Sequence, residues 1–473
     1  MTASRNRGPD LIRSLGSWEA AAIVVGTIIG SGIFLVPKAM VLSVGTPAKV
    51  LLVWVAGGLL SLFGALTYAE LAAALPYAGG EYVYLREAFG PLWSFLYGWT
   101  QFWVAKSGSI ATFATAFAYY LANFYPALER VCFVISLPIG PKGGPLLITY
   151  GQLFAMALIL ATAGINFFGV KLGGRLQAYI TALKVGLILA LVILAALLGA
   201  GSVQSFHSAV PAAGGVSGWV AALVAALWAY DGWNNVSMVA SEVQNPQRNI
   251  PRAMILGTLG VAALYILANL AYFFVLTAAE VGASDRVAAA VARKFMGVAG
   301  GGAVAVAAMV SIFAALNGSL LSGSRVPFAM ARDGYFFARF ARVHQEHRTP
   351  HFSILFLSLW AAVLTLSGRY EELYTYVIFA SWILYGMTTA SVFVLRRKRP
   401  DLDRPYHTLG YPVVPAVFVL VAAFLVVVTL HNSPRESLMG LTLVAAGLPF
   451  FVYWRRHHPA SGNSPSKTWD IPH

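Results

Sequence analysis

Stretches of about twenty apolar residues follow one another along almost the whole chain, near 18–43, 48–75, 90–124, 149–168, 174–200, 216–242, 253–277, 295–330, 351–367, 371–396, 412–430 and 437–455. A run of that length matches the hydrocarbon thickness of a bilayer. A chain made of such runs folds in lipid, where each backbone N–H and C=O must find its partner inside the protein. Of the 473 residues, 58% are hydrophobic and only 11% are charged, and the mean hydropathy is +0.71. Soluble domains are about a quarter charged. The pattern predicts an all-α polytopic membrane protein with 12 transmembrane helices.

The net charge of +14 would suggest a nucleic-acid binder in a soluble protein. Here most Lys and Arg sit in the short connections between spans. An even number of spans puts the larger share of them on the side of both termini. That bias predicts a multi-pass protein of the cell membrane, inner or plasma, with both termini cytoplasmic. No basic patch interleaves with a soluble fold, so no nucleic-acid partner is expected. Residues 1–17, with Arg5, Arg7 and Arg13, read as a cytosolic tail rather than a cleaved signal peptide. Residues 456–473 read as a second polar tail. The single cysteine, Cys132, rules out an intrachain disulfide. It is either a small residue near a membrane edge or the anchor of an intermolecular disulfide.

The first span carries Gly26, Gly30 and Gly32 beside Ser31 within Val25–Phe34. Gly26 and Gly30 alone make a small-xxx-small pattern suited to close helix packing. A matching interruption about 200 residues on, Trp228-Ala229-Tyr230-Asp231-Gly232-Trp233-Asn234-Asn235, favours another reading. Paired interruptions in two halves of a membrane protein mark a transporter binding site. Spans 1 and 6 each open a set of five. This fits two inverted repeats, 18–200 and 201–396, followed by two extra helices over 397–455. An opened helix offers free N–H groups to an anion and free carbonyls to an ammonium. Together they complement a zwitterion, so α-amino acids are the expected substrates.

Charged residues inside apolar spans are costly and functional by default. Lys184, deep in span 5, is expected to be a fixed cation supporting the break in span 1, where a sodium-coupled protein would hold Na⁺. Asp231 is either a cap for freed N–H groups or a counter-charge in the pocket. Trp228 is placed to close over a ligand as a gate. Lys106 in span 3 has either a pocket or coupling role or a structural pairing, with Glu70 as a candidate partner. Asn317 and Ser319 in span 8 either bond between helices or reach the pocket. The segment Glu242–Arg252 suits an ion-pair latch, and Arg396-Arg397-Lys398-Arg399 a topology anchor. No metal-ligand cluster, no nucleophile motif and no cofactor fingerprint is present.

Gly26–Phe34, Trp228–Asn235, Glu242–Arg252, and Asn317-Gly318-Ser319-Leu320 leading through Ser324-Arg325 to Arg332-Asp333-Gly334 together resemble the amino acid–polyamine–organocation superfamily, and within it the L-type amino acid transporter family, over roughly residues 15–455. The resemblance implies the LeuT-type 5+5 inverted-repeat fold with helices 1 and 6 discontinuous. It also implies alternating access, and amino acid binding without Na⁺, commonly by exchange. By motif position it implies substrate contacts at Ile28, Ser31 and Gly32, with Asn234 as a polar residue behind the gate; the expected substrate-binding set is Thr27, Ile28, Gly30, Ser31, Gly32, Trp228, Ala229, Tyr230, Asp231 and Asn234. Trp228 matches the gate and Lys184 the cation standing in for sodium. The string around Asp231 looks most like members that take cationic as well as neutral amino acids. Animal members bond a heavy-chain partner through a cysteine after helix 3; the surroundings of Cys132 do not match that loop, and the chain is expected to work alone. The expected activity is sodium-independent exchange of neutral, and through Asp231 cationic, L-amino acids. The rival on the same fold is a proton-coupled symporter, with Lys184, Asp231 or Glu70 carrying the proton. A membrane-embedded enzyme or channel is disfavoured by the absent motifs and the paired breaks.

Overall fold

The glycine-rich stretch divides the first span into α1 (Ser17–Ile28) and α2 (Gly32–Val44). Ile29 leaves helical geometry at φ −75°, ψ 90°. The computed structural model describes residues 10–136, 145–199, 201–366, 370–432 and 434–457, the side chains of 370–380 and 436 excepted. Residues 1–9 of the expected N-terminal tail and 458–473 of the C-terminal tail lie outside the described residues.

Thr46 caps α3 (Pro47–Ala74), whose first position is a proline already fixed at helical φ. After α4 (Glu81–Phe89), α5 (Pro91–Thr100) runs through a π-helical turn, Gln101–Ala105, into α6 (Lys106–Leu121). Such wide turns re-aim the side chains that follow. A capping box of Thr149 and Gln152 starts α7 (Tyr150–Phe167), and α8 (Val170–Leu198) follows. The second interruption separates α9 (Gly215–Ala229) from the short α10 (Asn235–Met238). Beyond it come α11 (Pro246–Val275), α12 (Ala278–Ala283) and α13 (Val287–Gly323), which bends at Gly297, φ 61°. The remaining helices are α14 (Arg325–Arg332), α15 (His351–Thr365), α16 (Tyr370–Lys398), α17 (Val413–Asn432), α18 (Pro434–Ala445) and α19 (Gly447–His457).

Among the described residues, eight helical segments are long and apolar enough to cross a membrane, and α9 and α15 are shorter apolar helices. The chain is therefore a polytopic, predominantly helical membrane protein. It is not purely α: β1 (Val131–Ile135) and β2 (Leu146–Thr149) form an antiparallel hairpin between α6 and α7. Both strands are rich in β-branched residues, which suit a pleated surface. Cys132 lies in β1, half-buried, with its thiol 3.1 Å from the Ile148 carbonyl.

The divided first span occupies the middle of the bundle. Its α1 half packs against α8, α11 and α13, and its α2 half against α9. Where the chain enters α1, the Ser14 and Leu15 N–H groups donate to the Glu242 carbonyl, each at 2.9 Å. The Glu242 carboxylate meets Arg325 in a bidentate pair at 2.8 and 2.9 Å, and both side chains are fully buried. The ion pair of the Glu242–Arg252 segment is thus made by Glu242 with a residue of α14, some eighty positions away, rather than among the segment's own charges. Nearby, Arg332 pairs with Asp10 and Arg86 with Asp333.

The suggested Glu70–Lys106 pair does not form. Glu70, near the end of α3, accepts from Arg396 at 2.7 and 2.9 Å and from the Thr408 N–H and hydroxyl, both at 2.7 Å. Lys106 starts α6 in the interior, where it bonds Asn235. The basic run at the end of α16 is thus more than an anchor, since Arg396 holds Glu70 and Arg399 reaches Glu87 at 3.1 Å.

Removing one partner of a buried pair leaves an uncompensated charge. Arg325→Ala is expected to lower stability by about 3–5 kcal/mol, read as a drop in melting temperature in detergent. The double variant Arg325→Met/Glu242→Leu is expected to recover much of that loss. A double variant as unstable as the single one would contradict the assignment.

Candidate functional site

Opening a helix inside an apolar bundle frees carbonyls that must be satisfied. Each freed carbonyl at Ile28–Gly30 has a partner. The Lys184 ammonium, fully buried on α8, donates to Gly26 O at 2.6 Å and Ile29 O at 2.5 Å, and lies 3.5 Å from Ser311 O. The Ser311 hydroxyl on α13 lies 3.0 Å from Ile29 O and 3.2 Å from Gly30 O. The Tyr265 hydroxyl on α11 sits 3.0 Å from both Ile28 O and Ala229 O. Those are the last carbonyls of α1 and α9, so one phenol ties the two interruptions together. The Thr27 hydroxyl makes a second link, 2.9 Å from Gly232 O.

The breaks meet closely. A Cβ on Gly32 would stand 2.7–2.8 Å from Ala229, so only glycine lets the start of α2 lie against the end of α9. Gly232 turns the chain at φ 115°, a conformation that favours glycine, and a Cβ there would stand 2.9 Å from Thr27. On the other side of the first break, Gly32 and Ile33 open α2, and their N–H groups have no intrahelical acceptor. No other described group accepts from them. The Ser31 hydroxyl beside them is buried and unpartnered. An unsatisfied run of donors at a helix N-terminus suits a carboxylate.

These groups open onto a small cavity of about 40 Å³. Thr27, Ile28, Gly30, Ser31 and Gly32 line it from the first break, and Trp228, Ala229 and Asp231 from the second. Lys106 lines it too, as do Gly232, Asn235 and Ser319. Three expected residues lie elsewhere. Tyr230 turns away and donates to Trp54 O at 3.1 Å. Asn234 faces Glu81, donating to its carboxylate at 2.5 Å. Asn317 accepts from Asn166 at 2.8 Å and donates to Gln177 at 2.9 Å, linking α7, α8 and α13. In each case a nearby buried acceptor or donor holds the polar group out of the cavity.

Ser109, Thr112 and Phe113 were not foreseen, yet they line the cavity from α6. Their signal was available: with Lys106 they recur at three- and four-residue spacing, one face of a helix. Asn235 was hidden behind its neighbour Asn234. Glu81, fully buried at the start of α4, was missed as well; Tyr97 and Asn234 both bond its carboxylate. Burial pushes this carboxyl above its ordinary range despite those two hydrogen bonds. Asp231 accepts from Tyr385 at 2.7 Å.

The profile of the amino acid permease family matches residues 15–449. The chain is 32% identical over 453 residues to the b(0,+)-type amino acid transporter 1 of Mus musculus, covering 94% of this chain and 89% of that protein. It is 32% identical over 476 residues to the large neutral amino acids transporter small subunit 2 of Mus musculus, covering 98% and 85%. With the serine/threonine exchanger SteT of Bacillus subtilis it shares 32% over 447 residues, covering 93% and 96%. These are transporters rather than enzymes, and the chain belongs to the amino acid permeases of the amino acid–polyamine–organocation superfamily, as a bacterial-type member of the L-type amino acid transporter family.

Proposed function

We propose that this amino acid transporter is a sodium-independent exchanger of neutral L-amino acids. It works by alternating access on a LeuT-type scaffold of twelve membrane helices. Residues 18–200 and 201–396 form the two inverted repeats, 397–455 adds two helices, and both termini lie in the cytoplasm. The chain works without a heavy-chain partner. A substrate carboxylate takes the free N–H groups of Gly32 and Ile33 and the Ser31 hydroxyl, and the ammonium takes the remaining lone pairs of the backbone carbonyls at the Thr27–Gly30 and Trp228–Ala229 ends, since a carbonyl oxygen can accept twice. Ile28, Phe113 and Trp228 enclose the side chain, with Trp228 as the gate. Tyr230, Asn234 and Asn317 act from behind the site by holding the helices that form it.

One observation carries this reading: two helix interruptions open onto the same cavity while the Lys184 ammonium sits on the carbonyls of the first. Unwound carbonyls are where coupled carriers hold Na⁺. A covalently attached cation there removes the need for the ion. Exchange is further supported by the likeness to SteT, itself named an exchanger. The small cavity favours small side chains.

Labelled alanine, serine, leucine, arginine and glutamate can be offered to sodium-free proteoliposomes, either preloaded with the same amino acid or empty. Uptake of the neutral amino acids is expected only into preloaded vesicles and is expected to be unchanged by adding Na⁺, with little uptake of arginine or glutamate. Equal uptake into empty vesicles would overturn obligatory exchange. Lys184→Ala is expected to reduce exchange at least about a hundredfold while the protein remains folded in the membrane, since several charge-assisted hydrogen bonds to the break are lost at once. Near-normal exchange by Lys184→Ala, measured at matched protein levels, would overturn its role.

A second reading, proton-coupled symport, is favoured by Glu81. Its carboxyl is displaced upward by burial and bonds Asn234 in the second break. In its favour would be uptake into empty vesicles driven by an imposed pH gradient and lost in Glu81→Gln. Indifference of transport to both the gradient and that substitution would dismiss it.

A further inference from the structure

Asp231 was expected to read a cationic substrate side chain, but the cavity also holds a cation of its own. Lys106 starts α6 directly after the π-helical turn, and its ammonium faces the second interruption and donates to the Asn235 side chain. It is almost fully buried and lines the same cavity as Asp231. The charged groups around it are Asp231 in the break and Glu81 at the start of α4. Lys184 lies on the far side of the first break, engaged by backbone carbonyls. The Asp231 carboxylate is already bonded by Tyr385 from α16. Glu81 does not line the cavity and is held by Tyr97 and Asn234.

We infer that Lys106 is a specificity-determining residue that keeps the site electrically neutral and excludes cationic amino acids, its ammonium offsetting Asp231 within the substrate cavity. The inference rests on the proposed exchange of amino acids at this site. A zwitterion with an uncharged side chain adds no net charge to a cavity whose fixed charges already balance. A lysine or arginine side chain would bring a third charge against a buried ammonium that cannot move into water. In a low-dielectric interior, like charges at close range oppose each other strongly. The same balance works in reverse: without the Asp231 charge, Lys106 is left uncompensated and becomes a counter-charge for an acidic side chain. Met at position 106 keeps much of the length of lysine without its charge, whereas Arg keeps the charge.

The test is the ratio of initial rates for labelled arginine and labelled alanine into alanine-loaded proteoliposomes. For the wild type the ratio is expected below about one tenth. Lys106→Met is expected to raise it at least about tenfold, whatever happens to the absolute rates, and Lys106→Arg to leave it low. Asp231→Asn is expected to raise the glutamate-to-alanine ratio. Should Lys106→Met not fold, displacement of labelled alanine from purified protein decides the matter. Arginine in excess is then expected not to displace alanine from the wild type, and glutamate to displace it from Asp231→Asn better than from the wild type. Wild-type protein that takes arginine as readily as alanine, or ratios that do not respond to these substitutions, would overturn the charge-balance role while leaving alanine exchange intact. Absence of alanine exchange in the wild type would instead overturn the proposed function, and this inference with it.

Discussion

A helix opened in the middle of a membrane protein has carbonyls that neither lipid nor water can satisfy. The remaining architecture of this site follows from how they are met. Lys184 takes Gly26 and Ile29, Ser311 takes Ile29 and Gly30, and Tyr265 takes Ile28 together with Ala229 of the second break. These groups come from α8, α13 and α11, the helices that enclose α1. A lysine buried at this depth costs at least about 2.5–3.5 kcal/mol on insertion scales, and its three nearby carbonyls offset that. Each freed carbonyl of the break therefore has at least one partner within the protein, whereas the donors at Ser31–Ile33 have none among the described residues.

That asymmetry connects structure to transport. The free donors face a cavity shared by both interruptions, so a molecule bound there touches two half-helix ends at once. A tie between the breaks runs through Tyr265 and Thr27, and the buried Glu242–Arg325 pair fastens the segment after the second break to α14.

Features that announce themselves by cost were legible in the sequence. Gly26, Gly30 and Gly32 in one apolar run, a lysine at mid-span, and an aspartate between two tryptophans all violate what lipid tolerates, and each sits at the site. Partners supplied by other helices were not legible. Tyr265 and Ser311 read as ordinary residues of apolar spans until packing turns them toward the break. The Glu70 partner comes from more than three hundred residues away, and the nearer candidate, Lys106, is drawn instead to Asn235. Asn234 and Asn235 differ only in which face of a single turn they occupy; one faces Glu81 and the other the cavity. The β1–β2 hairpin escaped notice because its strands are only five and four residues long beside apolar spans of similar composition.

The central claim is that the paired breaks read both ends of a zwitterion, the free N–H groups at Ser31–Ile33 taking the carboxylate and the half-helix ends the ammonium. Displacement of labelled L-alanine from purified protein by propionate and by ethylamine tests it most directly, since each analogue retains one of the two charged ends. Neither is expected to compete at concentrations where unlabelled alanine displaces fully, even when both are added together. Displacement by either analogue alone at the concentrations effective for alanine would show that only one end is read, and would contradict the account.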